Sequence, residues 1–211
     1  GDIRNIYILL LLSLSFGIDH LLITQVVTQP DAAESFSIYN PTDSPIDLTN
    51  YYICDDEKYY KMQTEGDLSP SFFITGFTAR FPDITITPGD TFNIVLNEDY
   101  SEFYGQDFVP DLIMYGSDDN SMLETESGSI GLSNNKIAES SELIILFKWD
   151  GESEHLIEDV DYFLWGQYNP PINKTGISTY LSDSNPENQY FDEISQVNYA
   201  YSRIGTDEVD E

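Results

Sequence analysis

The sequence predicts an all-β fold, a sandwich or barrel of roughly ten short strands. Two observations carry this. Runs rich in β-branched and aromatic residues recur along the chain, separated by Pro, Gly, Asn and Asp at hairpin or short-loop spacing, and helical periodicity is almost absent. Twelve Phe and fifteen Tyr, within a 40% apolar content, then suffice to fill a substantial core in 211 residues.

The strands follow in order. "HLLITQVVTQ" is β-branched and stops at Pro30-Asp31, and "SFSIYN" alternates, with Phe36 and Ile38 on one face. "PTDSPIDLT" is a turn carrying Pro41 and Pro45, and it leads into "NYYICDD". "SFFITGF", "RFPDITITPGDTFNIVLN", "DLIMYG", "GSIGLSNN", "ELIILFKWDG", "EHLIEDVDYFLWG" and "VNYAYSRI" complete the set, with Pro88-Gly89 marking a turn between two alternating strands. Residues 55–70 and 167–190 are polar, contain Pro or Gly and lack a pattern. The second is long for a loop and reads as an irregular surface excursion or a ligand-facing element.

Three segments divide the chain. Arg4 precedes an apolar run from Ile6 to Leu14, with the small residues Ser15 and Gly17 after it, so residues 1–17 read as a secretory signal peptide. The run is shorter than the about 20 residues of a membrane span, so no stable span is expected once the signal is removed. Residues 18–204 form one β domain, and 205–211 an acidic, frayed tail.

The formal charge of -30 is the most extreme bulk feature. Such a surface repels phosphate backbones, which excludes nucleic-acid binding by counterion release and disfavours anionic membranes. A single cysteine, Cys54, excludes an internal disulfide, and its apolar surroundings in "YYICDD" make it a small buried hydrophobe.

The order of the motifs resembles that of lamin tail domains, in particular the bacterial secreted type. The opening "LLITQVVTQP…FSIYNPTDSPIDLTNYYI", the central "RFPDITITPGDTFNIVL", the hairpin "IGLSNNKIAESSELIILFKWDG", the segment "IEDVDYFLWG" and the closing "YAYSRI" are similar to that family's successive segments, over about residues 19–204. The resemblance implies an immunoglobulin-like β-sandwich and a non-catalytic binding or spacing module, secreted or at a bacterial cell surface and accessory to an exported hydrolase. The partner it implies is an unidentified protein or carbohydrate. Two departures stand out. Ser37 occupies a second-strand position that is often acidic in the family, and the chain stops soon after Arg203, as a fragment of a longer protein would. With no coiled coil upstream of the β domain, a nuclear filament role is not implied.

"IEDVDYFLWG" is also the strongest candidate for chemistry. Read as a regular strand, it places Val160, Tyr162 and Leu164 on one side and Asp159, Asp161, Phe163 and Trp165 on the other, with an exposed acidic half and a doubly buried apolar half closed by Gly166. Asp159 and Asp161 are the metal candidates, as a calcium pair completed by Asp55, Asp56, Asp118 or Asp119. Calcium is the one cofactor candidate. The eight adjacent acid pairs are about what 38 acids scattered through 211 residues produce, so the acids are not clustered.

No catalytic motif is present, and no catalytic residue is assigned. His20 and His155 belong to no HExxH, "GSIG" at Gly128 to Gly131 lacks nucleophile-elbow spacing, and no carboxylate pair stands out for glycoside hydrolysis. "NKT" at Asn173 to Thr175 is formally a glycosylation sequon, discounted on the bacterial resemblance. Tyr51, Tyr52, Tyr59, Tyr60, Tyr100, Tyr104, Tyr162, Phe163 and Trp165 exceed what one small core needs. They read as β-packing residues or as a carbohydrate- or protein-binding surface. The sequence therefore supports a non-catalytic module first. A calcium-stabilised adhesion module and a metal-dependent hydrolase with clustered carboxylates are the alternatives.

Overall fold

The computed structural model describes residues 18–65, 76–114, 116, 118–130, 137–166, 171–177, 179–181, 183 and 185–206. The segment read as a signal peptide, most of "SFFITGF", "GLSNN" and the last five residues lie outside that range. The strands are β1 (Leu22–Val27), β2 (Ser35–Tyr39), β3 (Ile46–Asp47), β4 (Tyr51–Cys54), β5 (Thr78–Arg80), β6 (Thr85–Ile86), β7 (Thr91–Val95), β8 (Leu112–Ile113), β9 (Leu123–Glu124), β10 (Glu142–Lys148), β11 (Glu158–Trp165), β12 (Tyr190–Phe191) and β13 (Ala200–Ser202). Three single-turn α-helices interrupt them, α1 (Met62–Glu65), α2 (Ser101–Tyr104) and α3 (Pro186–Gln189), besides three 3-10 turns. None of the described helices is long and apolar enough to cross a membrane.

The fold is the all-β sandwich that the sequence predicts. One sheet has the order β13-β1-β2-β7-β8 and the other β12-β11-β10-β4-β5-β9, with β3-β6 as a small accessory pair. Pairing is antiparallel except at β7–β8 and β11–β12. The Pro88-Gly89 turn does not close a hairpin. Gly89, at φ +78°, lets the chain leave β6 in the small pair and enter β7, whose neighbour is β2.

The alternation fixes what faces what. Ile23 and Val26 of β1, Phe36 and Ile38 of β2 and Ile94 of β7 meet Ile53 of β4, Ala79 of β5, Ile144 and Leu146 of β10 and Trp165 of β11 between the two sheets. The intervening residues of the second sheet, Tyr52, Cys54, Leu143, Ile145, Phe147 and Leu164, point the other way and are buried too. They meet Tyr59, Tyr60 and Met62 from the 55–65 segment, and Ile157 and Ile172. The described parts of the two irregular stretches therefore form a third layer over the outer face of the second sheet. A sheet covered on both faces reads as continuous apolar runs, as β4 and β10 do.

The two cores share the aromatic surplus. Tyr51, Trp165 and the half-buried Phe163 pack between the sheets, whereas Tyr52, Tyr59, Tyr60 and the half-buried Tyr162 join the fully buried Cys54 in the second core. Phe147 lies at its centre, stacked on Tyr52 at 5.1 Å and tilted against Tyr59 at 5.3 Å. Gly166 ends β11 with φ +61°, and a Cβ there would sit 2.0 Å from the Ser140 carbonyl oxygen, so no other residue fits.

Phe147→Ala should lower the unfolding free energy by about 3–5 kcal/mol in a urea titration. A loss below about 1 kcal/mol would mean that the outer layer does not pack as a core.

Candidate functional site: β11 and the cleft at the sandwich edge

β11 carries a bulge. Leu146 pairs with Asp161 and Phe147 with Asp159, which leaves Val160 as the extra residue. The bulge breaks the two-residue period, so Asp159 and Asp161 leave the strand on opposite faces. Asp159 shares the outer face with Phe147, whereas Val160 and Asp161 turn toward the inter-sheet core. The expected single acidic face is thus corrected. The structure does not bring the two metal candidates together, and each accepts from protein cations.

Asp161, only 5% exposed, receives two bonds from Arg203 Nη2, at 2.8 Å on Oδ1 and 2.7 Å on Oδ2, and one from the Ile23 backbone N–H at 2.6 Å. Arg203 Nε in turn donates to the Ile23 carbonyl at 3.1 Å. A bulge in β1 between Ile23 and Gln25 accompanies this approach. The ion pair fastens β11 of one sheet to β1 and the chain just beyond β13 of the other.

Asp159 faces a different set. Its Oδ1 accepts from the Tyr59 hydroxyl and its Oδ2 from Lys174 Nζ. The ammonium also lies 2.9 Å from Asp183 Oδ1, and the Lys174 backbone N–H donates to Asp183 Oδ2. Lys174 is 4% exposed, and its Nζ stands 5.5 Å from the Tyr59 ring centroid and 5.8 Å from that of Tyr180. Burial alone would depress the Lys174 amine, but the carboxylates of Asp159 and Asp183 outweigh it and hold the pKa above the ordinary value. Burial, followed by the Asp159 charge, raises the Tyr59 phenol well out of the accessible range.

A cleft of about 580 Å³ opens where the terminal strands β12 and β13 meet. Phe163, Phe191, Ile194, Tyr199 and Tyr201 line it, with Arg203 and Glu193 as charged neighbours. Tyr201 sits edge-on to Phe163 at 5.1 Å and to Phe191 at 6.0 Å. Its hydroxyl accepts from the Ser195 N–H at 2.7 Å and donates to the Glu193 carbonyl at 2.9 Å, which fixes the 193–195 wall. That size and aromatic lining match small-molecule and peptide sites.

The other sequence candidates lie elsewhere. Asp55 Oδ1 accepts from Phe77 N–H at 2.9 Å, and Asp56 Oδ1 from Lys58 N–H at 2.7 Å. Asp118 and Asp119 lie in the turn that runs into Ser121. His20 bonds Asp19, and His155 bonds Asp150 at 2.5 Å on an exposed loop, far from β11's acids in role. No group of three metal-binding side chains gathers among the described residues. Tyr104 of α2 stacks on Phe108, which Tyr100 meets edge-on, and none of the three lines the cleft. Sequence reasoning missed Lys174, Asp183 and Arg203 as partners of β11, and missed the cleft. One unusual pair of acids flanks the core: burial, and then the charge of Glu142, pushes Asp55 well up, while burial raises Glu142 to about 7.

Strands and cleft together define a three-layer β-sandwich with an apolar opening at one sheet edge. No family model and no curated protein matches the chain. Among solved structures, the chain is similar to a DUF4876 family protein from Bacteroides thetaiotaomicron, with 12% identity and a TM-score of 0.42 over 72% of its own residues. The chain spans 55% of the length of that protein. A likeness of that size carries no argument, and the sandwich rests on its own sheets.

Two outcomes follow from these networks. Arg203→Met leaves a buried carboxylate uncompensated and should cost about 3 kcal/mol in denaturant unfolding, whereas adding Asp161→Leu to it should recover part of that loss. A loss in the double variant equal to the sum of the singles would show that the pair is not coupled. For Glu142, the folded pKa of about 7 lies above the unfolded value of 4.5, so the folded state holds the extra proton. Its contribution is present below about pH 4.5 and fades as pH rises to about 7. Relative to Glu142→Gln, the protein should lose up to about 3 kcal/mol across that window. A pH-independent difference between the two proteins would refute it.

Proposed function

We propose that this chain is a non-catalytic binding module, secreted or held at a cell surface, that takes an extended peptide segment of a protein partner in the cleft between β12 and β13. One observation carries the reading. Of the ten large apolar side chains left exposed among the described residues, five lie between 191 and 204: Phe191, Ile194, Val197, Tyr199 and Ile204. Clustered apolar exposure beside a concavity is the mark of an interaction surface.

The occupant follows from two further features. β13 ends its sheet among the described residues, so its outward backbone groups offer an edge to which another strand can add. The chain has 38 acids against eight Lys and Arg, so a segment mixing basic with apolar residues is drawn toward it. The secreted setting is supported by the apolar run from Ile6 to Leu14, and the module type by the motif order that resembles lamin tail domains.

The test is direct binding. The full chain should bind immobilised octapeptides alternating Lys with Val or Leu, saturably and more weakly as salt rises. Phe191→Ser with Tyr199→Ser should weaken that binding at least about tenfold without changing the unfolding midpoint. Binding to an oligosaccharide array but not to peptides would transfer the cleft to carbohydrate. A calcium-raised unfolding midpoint would favour the adhesion reading. Turnover of a phosphodiester, ester or glycoside that Asp159→Asn abolishes would replace the module with a hydrolase.

A further inference from the structure

The Lys174 cluster has a composition that ion pairing alone does not need. Lys58 and Lys148 hold their ion pairs on exposed side chains, 55% and 46% accessible. Lys174 differs from both, with a side chain 5% accessible. It faces two carboxylates rather than one, Asp159 and Asp183, the latter at 11% accessibility. Two aromatic rings, Tyr59 and Tyr180, flank the amine, and the Tyr59 hydroxyl lies 3.0 Å from Nζ. An amine, an electrophilic carboxyl, a second carboxyl in contact with the same amine and a hydroxyl donor aimed at the first carboxyl make up a complete acyl-transfer site.

We propose that Lys174 and Asp159 form an intramolecular amide bond between Nζ and Cγ, with Asp183 as acid–base catalyst. The ammonium passes one proton to Asp183, which relays it to Asp159 Oδ2. The free amine attacks Asp159 Cγ, and the N–C bond forms as the carbonyl π-pair moves to Oδ1, where the Tyr59 O–H already donates. Asp183 then takes a second proton from the nitrogen and delivers it to Oδ2, which leaves as water while the C=O re-forms. The sum is one ammonium and one carboxylate converted to one amide and one water, with Asp183 returned as carboxylate and no change of oxidation state.

Two physical terms drive the reaction. The fold holds nucleophile and electrophile in contact, which replaces a bimolecular encounter by a positioned one. The cover shields the amine from water, and condensation removes its buried charge together with that of its carboxylate partner. The product would tie the segment around Lys174 to β11. The chain has one cysteine, Cys54, so no internal disulfide can do this.

Intact mass spectrometry of the full chain decides the matter and does not depend on the binding reading. The protein should be lighter than its sequence mass by one water, about 18 Da, and proteolysis should yield one branched peptide joining the β11 segment to Lys174. Lys174→Met and Asp159→Ala should restore the full mass. Asp183→Asn, which keeps both reacting groups, should accumulate at full mass with an unchanged circular dichroism spectrum. A full-mass protein after prolonged incubation in the folded state overturns the proposal. So does a deficit that survives Lys174→Met, as ring closure at Asp150-Gly151 would give.

Discussion

The bulge at Val160 is the constraint on which the three layers depend. A regular β11 would place both of its aspartates on one side, where their mutual repulsion would oppose burial. The extra residue sends Asp159 to the outer face and Asp161 to the inner one. Each carboxylate then meets a cation brought from distant sequence, Lys174 on one side and Arg203 on the other. Each pair has one buried member, Lys174 and Asp161, and such pairs add little net stability over apolar substitutes, because desolvation offsets most of the attraction. Their larger effect is on register. A one-residue slip of β11 would strand one charge in the core and the other against aromatic rings, so alternative pairings are heavily penalised.

The same strand explains why the second sheet is apolar throughout. β10 has buried residues on both faces, and its neighbours β4 and β11 complete two separate clusters that share only the backbone between them. Burying both faces roughly doubles the apolar area that a strand withdraws from water, at a backbone entropy cost incurred once. The outer cover is accordingly rich in Tyr rather than Leu. Tyr packs as a large apolar ring while its hydroxyl satisfies the polar groups of an irregular layer: Tyr59 donates to the Asp159 carboxylate, Tyr60 to the Asn173 carbonyl, and Tyr180 accepts from the Ile157 N–H.

Legibility in the sequence follows from these physical differences. β2, β4, β10 and β11 were legible because alternation or an unbroken apolar run is a local signal. The two-residue strands β3, β9 and β12 have too few side chains for any period, and their pairing is decided by tertiary contacts. The excess of Tyr and Phe over one core was visible, but its resolution into a second core was not, because the 55–65 and 171–190 covers carry no regular spacing. The facing of Asp159 and Asp161 was misassigned because a bulge leaves no composition mark. Lys174 sits in the unpatterned 167–190 stretch, where only the sequon "NKT" marks it. Its one local hint was isolation: it is among only eight Lys and Arg in the chain, and Tyr180 follows within two turns.

That scarcity of cations bears on the surface as well as the interior. Of the eight, Lys174 and Arg203 are committed to carboxylates of β11, so the exterior is still more acidic than the composition implies. The negative field therefore acts on the folded molecule as a self-repulsion that its own surface does little to neutralise. Under that load, the edge of the sandwich is the weakest place, since β12 and β13 have two and three residues and lack outer neighbours among the described residues. The Asp161–Arg203 pair and the Tyr201 ring cluster sit at this edge, where they close the two sheets on each other. The apolar cleft they frame is a consequence of that closure. The aromatic residues that seal the sandwich leave Phe191 and Tyr199 standing outside it, apolar rings exposed on an otherwise strongly acidic chain.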